Sequence, residues 1–183
     1  GAAPMVEAAG EWRLRLCFGE GGAPPPGRVG GLAISLGLAR RARINGVLER
    51  TATGIELEAD ETFTLCRKYM APSLTTGSQP RSGPTSRREV AIDDPWLVSL
   101  VADAETAFLA SVSPEGGPDV AHRGGPPGFI TLDPAARTLS WPEFVGDGVF
   151  KSAGNLRATG AMTLLVLDTE TGDAAEIIGH AEY

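Results

Sequence analysis

The chain is poor in the residues that build metal centres. It has two cysteines, Cys17 and Cys66, and two histidines, His122 and His180, among 183 residues. The cysteines have no metal-ligand spacing, and so few sulfur and imidazole groups argue against a Cys/His zinc site. Two cysteines in a chain of this size also read as thiols, which predicts a reducing, cytoplasmic setting. Cations are in short supply: 16 Lys and Arg stand against 23 Asp and Glu, for a net charge of −7. Nucleic-acid binding leans on counterion release at a basic face, so that class is set aside. Long apolar runs are missing as well, and none reaches the length of a bilayer span. No charged-then-apolar leader opens the sequence. The expected partners include neither a membrane nor a nucleic acid.

What is present suits a small domain of short strands. Hydrophobic residues make up 42% of the chain and the mean hydropathy is −0.03, enough for a core in one domain. The 24 Gly and 14 Pro predict many turns, as in a β-barrel. Trp12 to Phe18 alternates apolar and polar residues with the period of a half-buried strand. Gly31 to Leu38, Arg41 to Arg50 and Gly54 to Ala59 are further strand candidates, with Arg43 and Asn45 facing away from Ile44; Thr62 to Met70 is ambiguous. Ala71 to Arg88 is polar and rich in Pro, Ser and Gly, and reads as a linker. A helix signal follows, with Asp93 or Asp94 as cap, Pro95 in the first position and Trp96, Leu97, Leu100 and Val101 as an apolar stripe. Thr106 to Ser113, Asp119 to Arg123, Gly128 to Leu132, Thr138 to Trp141, Ala161 to Leu167 and Ala174 to Tyr183 then alternate with turns. A second helix is predicted around Val149 to Ala158. Ile44 to Glu49 and Ile177 to Glu182 form a weak internal repeat, each after an apolar strand candidate, a likeness that chance explains almost as well.

The stretch from Val120 to Leu156 carries the chemistry. One strand ends in His122-Arg123 and enters a loop of Gly124, Gly125, Pro126 and Pro127. Another ends at Trp141-Pro142, and a Gly-rich turn leads into a helix bearing Lys151, Ser152 and Asn155. Cations and hydroxyls beside glycines and a helix start make a place for a phosphate. Arg123 has the fork for a bidentate contact. The bland alternative is a surface lysine and a helix-capping serine. The glycine spacing does not fit a dinucleotide fingerprint. His122 reads either as an acid/base group or as a polar strand residue, and His180 as structural.

The run from Ala107 to Ile130, A-F-L-A-S-V-S-P-E-G-G-P-D-V-A-H-R-G-G-P-P-G-F-I, resembles the pyridoxamine 5'-phosphate oxidase-like flavoproteins, which are FMN-binding split β-barrels. W-P-E-F-V-G-D-G-V-F-K-S-A-G-N-L, M-T-L-L-V-L-D-T-E-T-G-D and I-I-G-H-A-E follow in the same order, so the resemblance covers about Trp96 to Tyr183. The first half is similar to the closing part of such a barrel, ending in Cys66-Arg67-Lys68-Tyr69, with Arg67 where that signature usually has Pro. The resemblance implies a mainly β, antiparallel, Greek-key-like split barrel with two short helices. Residues 1–70 would hold its closing strands, 71–90 the linker and 91–183 its main part. The N-terminal strands would then complete the later barrel, within one chain or by exchange across a dimer. It further implies FMN, bound by His122, Arg123, Gly124, Gly125, Trp141, Lys151, Ser152 and Asn155, at a homodimer interface to which Arg67, Lys68 and Tyr69 contribute. Trp141 and Phe144 read as flavin neighbours or as core, with core favoured for Phe144. The expected function is FMN-dependent oxidation or reduction of a small-molecule substrate. A split barrel that has lost flavin and serves as a binding or assembly module is the alternative. Another is one using haem, the deazaflavin F420 or non-redox chemistry.

Overall fold

The computed structural model describes residues 6–18, 24–35, 38–52, 54–71, 86–146 and 148–183. In chain order the elements are β1 (Val6–Ala8), β2 (Arg13–Leu16), β3 (Gly27–Ser35), β4 (Arg40–Thr51), β5 (Gly54–Leu65), α1 (Pro95–Asp103), β6 (Thr106–Val112), β7 (Pro118–Gly124), β8 (Thr131–Asp133), β9 (Thr138–Ser140), α2 (Lys151–Thr159), β10 (Ala161–Leu167) and β11 (Ala174–His180). The fold is mainly β with two short helices, as the alternation predicts. The strands pair antiparallel into a five-stranded sheet (β1-β2-β5-β4-β3), a four-stranded sheet (β11-β10-β6-β7) and the β8–β9 pair. No helix among the described residues is long and apolar enough to cross a membrane.

The hydrophobic core lies in the second half. α1 begins where Asp94 accepts a hydrogen bond from the Trp96 amide at 2.9 Å and Pro95 takes the first turn. Its stripe of Leu97, Leu100 and Val101 packs against Ala107 and Leu109 of β6 and Leu164 and Val166 of β10. Each fully buried Leu or Val there contributes about 1.5–3 kcal/mol of transfer free energy. The predicted strand at Gly128 to Leu132 is shorter than expected and starts only at Thr131. Before it, the Gly128 amide bonds to the Ala102 carbonyl and the Phe129 amide to the Pro126 carbonyl. Phe129 and Ile130 are instead buried in the core from this turn.

The five-stranded sheet is organised differently. β3 starts at Gly27, four residues earlier than expected, and β5 continues through the ambiguous stretch to Leu65. Leu48 and Leu57 are cross-strand partners and both are buried. The other buried side chains on β4 are polar: Arg41, Arg43 and Asn45. Two-residue periodicity puts these three on one face. The register shifts at Asn45/Gly46, where Asp60 is the extra residue on β5; Asn45 pairs with Glu61 and Gly46 with Ala59. β3 and β4 lie against β7, the edge of the four-stranded sheet. Gly30 permits the approach, because a Cβ there would sit 2.8 Å from the Asp119 amide nitrogen. The repeated hexamers fall on β4 and β11, each the second strand of an antiparallel pair. Residues 72–85 of the expected linker lie outside the described residues.

Candidate functional site

The polar face of β4 meets β7 and the start of α2 in a buried network. Arg43 Nη1 donates to Asp119 Oδ2 at 2.8 Å, and its Nη2 lies 3.4 Å from Ser152 Oγ. Asp119 is 0% exposed. It also accepts from the Ser152 hydroxyl at 3.2 Å and from Asn45 Nδ2 at 3.2 Å. Asn45 Nδ2 also donates to Glu61 at 2.7 Å, and Glu61 is ion-paired with Lys151. That Lys151 contact, foremost, holds the Glu61 carboxyl below its ordinary pKa; burial opposes it and the Asn45 hydrogen bond adds to it. Both oxygens of Asp119 thus have donors and its charge has a guanidinium partner, which a carboxylate removed from water requires.

Beside this network a pocket of about 90 Å³ opens between the two halves of the chain. Arg41 and Arg43 come from β4, Cys66, Lys68 and Tyr69 from the segment after β5, His122, Arg123 and Gly124 from β7. Phe144 and Phe150 come from the segment before α2, and Lys151 and Ser152 from its first turn. Arg41 donates to His122 Nδ1 and to the carbonyls of Cys66 and Lys68. Arg123 pairs with Glu143 at 2.9 Å. Burial, first of all, pulls the Arg123 guanidinium below its usual pKa while Glu143 opposes the shift. His122 is lowered to about 3, by burial first and then by Arg41 and Arg123, so its ring is neutral. Five cationic side chains line this pocket against one carboxylate, Glu143, in a protein whose net charge is −7.

The mouth of the pocket is aromatic. Tyr69 and Phe144 stack with ring centres 5.0 Å apart, and the Tyr69 hydroxyl donates to the Val145 carbonyl at 3.3 Å. Phe144 is therefore not core: it is 39% exposed, with Tyr69 at 41% and Phe150 at 47%. Tyr69 (φ 63°) and Phe150 (φ 48°) also hold left-handed backbone conformations. Bulky residues adopt these at a cost on the order of 1–2 kcal/mol, a strain that clusters at functional sites. Phe150 is the N-cap of α2, and its side chain makes no capping hydrogen bond. The first amides of a helix have no intrahelical acceptor, and those of α2 belong to residues that line the pocket.

Of the eight residues expected to bind the cofactor, His122, Arg123, Gly124, Lys151 and Ser152 come together in this lining. Three do not. Gly125 lies against the Phe129 ring, Trp141 is partly buried against the core, and Asn155 Nδ2 donates to Ser111 Oγ at 3.1 Å. Sequence reasoning missed Arg41, Arg43, Asp119, Glu143 and Phe150. The available signal was the Arg-x-Arg-x-Asn alternation, which lays three polar residues on one face of a strand that the sheet buries. Both cysteines are free thiols. Among the described residues no group of three or more His, Cys, Asp or Glu is placed to hold a metal ion. The chain matches no known family profile, no curated protein and no solved structure.

Proposed function

We propose that the chain is a flavoprotein that holds FMN at this pocket and uses it to oxidise or reduce a small molecule. The observation that carries the reading is the cluster of Arg41, Arg43, Arg123 and Lys151 around the start of α2. Guanidinium forks, an ammonium and helix amides are the donors a phosphate dianion takes. The donor set fits that group, since the buried Nε atoms of Arg43 and Arg123 and Nε2 of His122 have no acceptor among the described residues. The enclosed volume suits a phosphate rather than a whole cofactor, for which pockets of roughly 300–1,000 Å³ are usual. The exposed faces of Tyr69, Phe144 and Phe150 offer stacking surface for an isoalloxazine. When bound, the flavin supplies the redox chemistry, and the chain's residues anchor it and bring substrate to it. In this reading the two halves of one chain supply the two sides of the cleft.

One observation favours a second reading. Arg43, Arg123 and Lys151 each already have a carboxylate partner. A self-satisfied network of that kind fits a binding or assembly module without flavin. Titrating the purified protein into FMN and into riboflavin, followed by flavin fluorescence, separates the two. The flavin reading expects saturable FMN binding and a riboflavin affinity lower by roughly tenfold or more, the loss of one or two charge-assisted hydrogen bonds. Protein that binds neither compound, and purifies without the visible flavin band, is the module.

A further inference from the structure

We propose that His122 is a fixed, uncharged hydrogen-bond donor to the ligand of this pocket, its Nε2–H directed at an acceptor oxygen, and that it serves as neither acid nor base. The inference rests on the pocket holding an oxygen-rich anionic ligand, of which FMN is the case proposed above.

The tautomer follows from the partner on the other side of the ring. Arg41 is held by the main-chain carbonyls of Cys66 and Lys68 and directs an N–H at His122 Nδ1. A guanidinium has donors only, so Nδ1 must offer its lone pair and the ring proton must sit on Nε2. His122 is 8% exposed and Nε2 is buried, yet that nitrogen has no acceptor among the described residues. A buried donor left unmade costs about 1–3 kcal/mol, and an acceptor on the ligand removes that cost. The ring cannot easily turn away. Phe108 of β6 meets it edge-on at 5.7 Å, and Gly124 leaves it room that a Cβ, 2.7 Å from Cε1, would take.

The groups around the ring hold it neutral. Arg41 faces it from β4 and Arg123, with its Glu143, from β7 and the loop beyond, while Arg43, Lys68 and Lys151 line the same pocket. Cations outnumber the one carboxylate among them, so a second ring proton would meet repulsion as well as desolvation. The low pKa of His122 agrees with this arrangement. The hydrogen bond that His122 contributes is thus independent of pH through the range where an ordinary histidine titrates.

The test is nitrogen NMR of the imidazole ring in a His180→Gln protein, which leaves His122 as the only histidine. Spectra are taken from about pH 5 to pH 8, free and with inorganic phosphate, FMN or riboflavin. The expected result is a protonated Nε2, a bare Nδ1, no titration step in that range, and a shift of the Nε2–H signal on adding ligand. A shift with phosphate assigns the donor to the phosphate end; a shift with FMN and riboflavin alone assigns it to the ring carbonyls. A protonated Nδ1, a titration step, or an Nε2–H signal unmoved by phosphate and FMN alike overturns the proposal. Failure of FMN to bind while phosphate still moves the signal sinks the flavin reading and leaves the donor standing. His122→Phe is expected to weaken binding of the shifting ligand roughly tenfold, and His122→Gln, which keeps a donor, to recover part of that.

Discussion

Asp119 is the residue on which the contact between the two halves turns. Its carboxylate is fully buried and accepts from Arg43, Asn45 and Ser152. Removing one partner of a buried pair strands the other, so Asp119→Ala should destabilise the protein by about 3–5 kcal/mol in urea unfolding. A loss under 1 kcal/mol would mean that Arg43 finds water instead. His122 sets the response to acid. An unfolded histidine takes up its proton near 6.5, whereas folded His122 does so at about 3. The folded pKa is depressed, so the unfolded chain gains the proton first. The stabilisation is complete above about 6.5 and is lost as the pH falls toward about 3, at no more than about 1.4 kcal/mol per pH unit. Glu61 adds to acid lability only below its ordinary 4.5, because its folded pKa is lowered too. Between pH 6.5 and 4.5 the urea midpoint should therefore fall more steeply in the wild type than in His122→Phe. Parallel curves over that window would remove His122 as the cause.

At the scale of single elements, local chemistry sets the ends. Asp94→Ala should cost about 1 kcal/mol by leaving the Trp96 amide uncapped, read as a lower melting temperature. The β8–β9 turn offers the opposite sign. Asp133 Oδ1 accepts from the amides of Ala135 and Ala136, and exposed Arg137 closes the turn with φ 55°. Arg137→Gly relieves a left-handed residue and should stabilise by about 1 kcal/mol; a lower melting temperature would show that the arginine side chain matters more than its backbone. These same elements were the legible ones in the sequence. α1 was readable from cap, proline and stripe because all three signals are local. Strand β8 was misread at its start because Gly128 and Phe129 satisfy their amides through a turn and the end of α1, which periodicity cannot register. β4 shows a subtler limit. Alternation separates Arg43 and Asn45 from Ile44, but it ordinarily puts the apolar side inward. Here the arginine face is the buried one, since its partner is Asp119, far along the chain.

On the scale of the whole molecule, the two sheets are joined by a polar seam rather than a shared hydrophobic core. The apolar cluster belongs to the second half alone. This explains why one side of the pocket is legible in the sequence and the other is not. His122, Arg123, Lys151 and Ser152 stand in a run with its own glycines and helix start, whereas Arg41, Arg43 and Phe150 acquire their meaning only across the seam. Joined by so buried a network, the halves should unfold together. Far-UV circular dichroism should report the same urea midpoint as the fluorescence of Trp12, Trp96 and Trp141, and Asp119→Ala should split the two curves. Coincident transitions in that variant would place the coupling elsewhere, with the close passage of β3 and β7 at Gly30 as the first place to look.

The seam contacts are also distant along the chain. Arg43 and Asp119 are 76 residues apart, Lys151 and Glu61 are 90 apart, and Arg43 and Ser152 are 109 apart. Loops of that length must close before any of these contacts returns free energy, which slows the step that makes them. During synthesis the five-stranded sheet is complete in the emerging chain well before Asp119 and Ser152 exist to receive Arg43. The pocket is accordingly one of the last things this protein acquires, and a chain halted before residue 152 has strands but no site.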